Sequence, residues 1–165
     1  MNSPAVRLRD YWSSIRVDVR PGVSHQAIQS FESKNGVLLP GDFSQYLLSA
    51  DGMNGSQSDD ALISFWPLDS VATIPECLSD FAGIPDYSQI GTHLRDAGSY
   101  FVFADYLIWS HVYAIKLSPC RADRDLILWV CGSNYCLVAE SFSEFLQMYL
   151  DDPESVLFPS ESQRD

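Results

Sequence analysis

The sequence predicts an α+β domain with helices at the amino end, a central and mostly antiparallel sheet, and one closing helix. Three observations predict it. Apolar residues recur at helical spacing through residues 5–50. Between residues 100 and 140 four apolar runs follow one another, joined by connections too short for parallel crossovers. Ser141-Phe142-Ser143-Glu144 then matches the capping box that opens a helix.

Leu8, Tyr11, Trp12 and Ile15 stand at i, i+3, i+4, i+7 and make one apolar stripe of a first helix. Arg20-Pro21-Gly22 breaks it. Val23-Ser24 supplies a staple residue and an N-cap for a second helix, whose stripe is Ala27, Ile28 and Phe31. Asn35-Gly36 ends that helix, because glycine accepts the left-handed conformation after a C-cap. Leu38-Leu39-Pro40 forms an extended bridge, since a residue before proline avoids the helical region. Asp42 is expected to cap a third helix carrying Phe43, Tyr46, Leu47 and Ala50, and Asp51-Gly52 to stop it.

Residues 53–60 are polar and glycine-bearing and read as an exposed loop. Residues 62–66 form a short strand that Pro67 ends. A short helix is expected over residues 69–79, interrupted near Pro75, and residues 80–99 are expected to be mostly irregular. Strands follow at 100–107, 111–117, 126–131 and 136–140, pairing as an antiparallel meander. The closing helix lines up Phe142, Phe145, Leu146 and Tyr149, and Asp151-Asp152-Pro153 ends it. The expected organisation is a single domain over residues 1–152 and a loosely held acidic tail over 153–165.

A chain of 165 residues suffices for one hydrophobic core and is short for two, and 46% hydrophobic content fits a packed domain rather than a disordered one. No apolar run approaches the roughly 18–20 residues of a membrane-spanning helix. Residues 1–9 lack the apolar centre of a signal peptide, so a cytoplasmic location is expected. Cys77, Cys120, Cys131 and Cys136 form no Cys-x-x-Cys pair and read as buried thiols rather than bridges or zinc ligands.

Charge is the strongest bulk signal. The net formal charge is −12, and it is uneven. Residues 1–41 hold Arg7, Arg9, Arg16, Arg20 and Lys34 against Asp10, Asp18 and Glu32, a net of +2; the remainder carries −14. Such a chain repels phosphate backbones and anionic lipid, so neither nucleic acid nor membrane is an expected partner. A cationic protein would be steered towards it, although acidity also serves solubility alone.

Catalytic chemistry finds no support. The three histidines, His25, His93 and His111, show no nucleophile partner in the sequence, and there is no G-x-S-x-G elbow. Gly52-Met53-Asn54-Gly55-Ser56 lacks the Gly-Lys-Ser/Thr of a phosphate loop. Asp59-Asp60 and Asp123-Arg124-Asp125 lack the alternating spacing of a calcium loop. The expectation is no enzyme, no cofactor and no metal. A contact surface is the alternative: Trp66, Tyr106 and Trp109 fall near strand ends beside Asp59, Asp60, Asp69 and Asp105, the aromatic-plus-acidic mixture suited to a basic partner. Trp66 fits either the core or this surface; Trp109, between two strands, is the preferred surface candidate.

Phe31-Glu32, Leu39-Pro40, Asp42, Phe43-Tyr46-Leu47 and Asp51-Gly52, in that order, resemble the signature of the SMI1/KNR4 (SUKH) superfamily. Phe65-Trp66-Pro67-Leu68, residues 101–105 and residues 139–146 look like its central strands and its last strand and helix, so the resemblance spans about residues 24–150. Asp51-Gly52 replaces the commoner Asn-Gly, and the helix before residue 24 is an addition. The resemblance implies a SUKH-like α+β fold, with Phe31, Glu32, Leu39, Pro40, Phe43, Tyr46, Asp51 and Gly52 as structural motif residues. It further implies a protein-binding role: an immunity protein that neutralises a toxin domain such as a nuclease, or else a regulatory module binding another protein; the charge adds that such a toxin would be basic.

Overall fold

The computed structural model describes residues 2–120 and 125–159. Helix α1 (Pro4–Ser14) opens with the Ser3 side chain accepting from Val6 N–H and with proline in its first turn, and it buries Leu8 and Trp12. Strand β1 (Val19–Pro21) follows. Helix α2 (His25–Asn35) has Ser24 as N-cap and Gly36, at φ +65°, as the left-handed C-cap. Glu32 Oε1 accepts from Leu39 N–H at 2.8 Å, which tethers the extended bridge to the helix it leaves.

Helix α3 (Gly41–Ser49) departs from expectation at its start. Pro40 is the N-cap residue and no side chain caps the helix. Asp42 instead accepts from Phe43 N–H through one oxygen and from Ser143 N–H, 2.7 Å away, through the other. It therefore joins α3 to α6 (Phe142–Asp151) rather than closing its own first turn.

Asp51-Gly52 is also not a simple stop. Both residues lie in strand β2 (Ala50–Met53), which pairs antiparallel with β1 in a two-stranded sheet. Gly52 sits at φ +68°, and a Cβ there would stand 2.6 Å from the Trp66 carbonyl carbon, so the close approach of β2 to Trp66 requires glycine. Asp51 Oδ1 accepts from Leu68 N–H at 2.7 Å.

The main sheet runs β3 (Ile63–Phe65), β5 (Tyr100–Tyr106), β6 (His111–Lys116), β7 (Ile127–Cys131) and β8 (Asn134–Ala139), all neighbours antiparallel. Strand β4 (Ala72–Thr73) pairs with the other half of the β5 edge that β3 uses. Pro75 does not interrupt a helix; it lies in the first turn of α4 (Ile74–Leu78), where the missing N–H costs nothing, behind a Thr73/Glu76 capping box. Residues 80–99 hold only the short α5 (Ile90–His93) and a 3₁₀ turn at Ala97–Ser99.

Each face of this sheet carries its own core. Phe101, Phe103, Tyr113 and Ile127 pack beneath α1, α2, α3 and α6, while Tyr100, Val102, Val112, Leu128 and Val130 pack beneath α4, α5 and residues 81–97. The β5 register against β6 slips between Val102 and Ala104, leaving Phe103 as the extra residue of a bulge. Residues 100–103 alternate between the two cores, but Phe103 and Ala104 both belong to the helix-side core. Strand parity thus inverts after the bulge, and Asp105 lies opposite Val112 on the second face.

Ser141 caps α6 by accepting from Glu144 N–H, and Glu144 Oε2 accepts from Glu140 N–H. The tail expected from residue 153 is not loose at its start. Residues 154–157 form α7 (Glu154–Leu157), with Val156 and Leu157 buried against the helix-side core, and Tyr113 Oη donates to Val156 C=O. Cys136 is buried, Cys77 and Cys131 are half-buried, and Cys120 is exposed, contrary to the expectation of four buried thiols. Among the described residues no helix is long and apolar enough to cross a membrane.

Phe43 is fully enclosed, its ring meeting Phe142 at 4.8 Å and Tyr46 and Phe103 at 6.0 Å. Phe43→Ala is expected to cost about 3–5 kcal/mol. Urea unfolding should show this as a lower midpoint at unchanged slope; a wild-type midpoint would show that the ring is not part of the core.

Candidate protein-docking site

Asp105 organises the end of the second face. Its Oδ1 accepts from the Trp66 indole N–H at 2.6 Å and its Oδ2 from Trp109 N–H at 3.1 Å. The two indoles consequently lie against each other, centroids 5.0 Å apart, and Phe81 stacks on Trp109 at 5.6 Å with only 8° between the planes. Tyr87 meets Phe81 edge-on and donates its hydroxyl proton to Trp109 C=O at 2.8 Å. The result is a continuous aromatic row across the β5–β6 end, fixed at both ends of Trp109 by hydrogen bonds.

The β5–β6 connection is unusual in chemistry. Leu107, Ile108 and Trp109 all have left-handed backbone, at φ +45°, +52° and +69°. No glycine, asparagine or aspartate supplies that conformation, and each L-residue in it costs roughly 1–2 kcal/mol. Ser110 N–H donates to Tyr106 C=O and Ser110 Oγ to Leu107 C=O, so together with Asp105 the turn is held by several bonds. Against it lies an open groove of about 450 Å³ whose floor includes Phe65, Trp66 and Pro67 and whose far wall is the 55–58 loop. A second groove adjoins it at Trp66 and Trp109 and reaches Asp69 and Glu76.

Trp66, Asp105 and Trp109 thus come together, each of the indoles half-buried. The others divide. Asp105 itself is only 6% exposed and Asp59 only 4%, so neither can meet a partner as the surface charge that its sequence context suggests. Asp59 accepts from Ala61 N–H, Ile63 N–H and the Tyr149 hydroxyl, tying the 59–62 turn to α6. Asp60 is exposed and keeps a surface role open. Tyr106 is half-buried, its ring stacked on His111 at 4.7 Å. Sequence reasoning passed over Leu62, Phe81, Tyr87, Leu107 and Ile108. The signal for two of them was present: Leu107-Ile108-Trp109 joins two strands with no glycine, proline, asparagine or aspartate.

Among the described residues no group of three His, Cys, Asp or Glu could hold a metal ion; Asp123 and Arg124, weighed for that role, lie outside them. A model of the SMI1 / KNR4 family (SUKH-1) matches residues 22–148, and the chain belongs to that family. No curated protein matches it.

Burial raises the Asp59 carboxyl from 3.8 to about 6, and it lowers His111 from 6.5 to about 4. The signs oppose. The folded state holds an extra proton on Asp59 between about pH 4 and 6, so this group adds stability as pH falls. Over nearly the same window folded His111 stays neutral while the unfolded side chain charges, so that group removes stability. Urea midpoints measured from pH 7 to 4 should therefore drop more steeply with acid in Asp59→Asn than in wild type, and less steeply in His111→Gln. Parallel profiles in all three proteins would contradict these assignments.

Proposed function

We propose that this SMI1/KNR4-family chain is a non-catalytic, cytoplasmic immunity protein that binds a basic toxin domain and neutralises it by covering its working surface. The observation that carries this reading is the Trp66–Trp109 groove, with its half-buried indoles and with Asp69 and Glu76 on the adjoining wall. Large rings give contact area at little entropy cost, and acidic groups at the rim favour lysine- and arginine-bearing surfaces. The net charge of −12 works in the same direction at long range.

The direct experiment is co-expression with the product of the adjacent reading frame, scored for rescue of growth and for a stable complex. Rescue with a complex supports the reading. A complex with a harmless product would favour a regulatory module instead.

With a purified pair, association should slow as salt rises, because attraction is screened beyond about 8–10 Å at physiological ionic strength. Asp60→Lys and Asp69→Lys should lower the association rate while leaving dissociation unchanged. Trp109→Ala should speed dissociation, the mark of a lost anchor. Salt-independent association together with wild-type kinetics in all three variants would move the interface away from this groove.

A further inference from the structure

Five non-glycine residues have left-handed backbone among the described residues, and four of them, Leu62, Leu107, Ile108 and Trp109, cluster at one end of the sheet. Leu107 N–H donates to Leu62 C=O at 3.0 Å, which brings the 59–62 turn and the β5–β6 turn together. The same residues point apolar surface outward: Ile108 is 88% exposed, Leu107 50% and Leu62 43%. Phe158, 65% exposed, extends this surface through its edge contact with Tyr106.

Neither stability nor solubility accounts for this combination. Asparagine or glycine would make both turns without strain, and would not place leucine and isoleucine in water. Isoleucine is the least suited of all, since its branched Cβ crowds the left-handed backbone. Strain held in place by surrounding bonds, on Leu62, Leu107 and Ile108, which belong to neither core, is the pattern of a contact site.

Charge says what would cover it. The groove at its foot is lined, among the described residues, by no lysine or arginine. Asp60 is exposed in the turn that carries Leu62. Arg20, on the adjoining groove, faces Asp51 and Asp69 at 3.5 and 3.6 Å.

We propose that Leu62, Leu107 and Ile108, with Phe158 beside them, form a projecting anchor that inserts into a protein partner, and that this partner presents an apolar socket bordered by lysine or arginine. The proposal rests on the protein-binding reading above and names the chemistry of the partner surface.

The test uses the full chain and two variants, Ile108→Asn and Ile108→Gly. Both new residues accept left-handed backbone, so both proteins should melt at or above the wild-type temperature. Lower melting in both would make Ile108 a structural residue and overturn the proposal. The probe is a library of random linear peptides displayed on phage and selected on the wild-type chain. Selected peptides should be rich in lysine or arginine beside large apolar residues, and should lose about tenfold or more in affinity for Ile108→Asn, the loss a hot-spot side chain produces. Peptides without that composition, peptides indifferent to Ile108→Asn, or failure to select any would overturn the anchor. The product of the adjacent reading frame separates this from the immunity reading. If it is toxic, and wild type and Ile108→Asn bind it equally and both rescue growth, the immunity reading stands and the anchor falls. If peptides depend on Ile108 while that product neither harms cells nor binds, the anchor stands and the immunity reading falls.

Discussion

Strand β5 is the constraint on which the rest of the molecule depends. It is buried along residues 100–105, pairs with β3 and β4 on one edge and β6 on the other, and contributes side chains to both cores. A strand in that position admits no slip of register, because one residue of shift would exchange the contents of the two cores. The bulge at Phe103 is where parity changes along β5. It lets two successive residues serve the helix-side core, and it delivers Asp105 to the opposite face, where both indole-bearing segments meet it. Trp66 N–H donates to the carbonyl of the bulged Phe103, so the bulge also fixes the segment that carries Trp66.

Half-buried Asp42 and buried Asp51 and Asp59 repeat this role elsewhere. Asp42 joins α3 to α6, Asp51 holds Leu68 N–H against β2, and Asp59 holds the 59–62 turn against Tyr149. Burying a carboxylate is unfavourable unless hydrogen bonds satisfy it, and burial raises the pKa values of Asp51, Asp59 and Asp105 while their backbone or side-chain donors pull them back. An acidic composition is therefore only partly a surface property here. Some of its carboxylates are structural acceptors that fix loops around the Trp66–Trp109 face, while others, such as Asp60 and Asp69, are exposed.

The helices were legible because local rules decide them: helical spacing set the buried faces of α1, α2, α3 and α6, and Ser24, Gly36 and Ser141 marked their ends. The antiparallel meander followed from short connections. What escaped is long-range. Strand β2 reads as the end of a helix until β1 is there to pair with it, and α7 reads as tail until Tyr113 reaches Val156. In the candidate site, Trp66, Asp105 and Trp109 were visible singly, but their convergence needs the bulge, which no spacing in β5 announces. Asp59 and Asp105 look like surface charges in sequence, since nothing local tells a buried acceptor from a solvated one.

The central claim is that the bulged β5 positions Asp105 to hold the Trp66–Trp109 face. Hydrogen exchange, followed by NMR at the Trp66 indole N–H and the Trp109 amide in wild type and in Asp105→Ala, tests it most directly. Both protons should be protected in wild type and exchange rapidly in the variant, while β5 and β6 amides such as Val102 and Ala114 remain protected. Unchanged protection at Trp66 and Trp109 in Asp105→Ala would contradict the account.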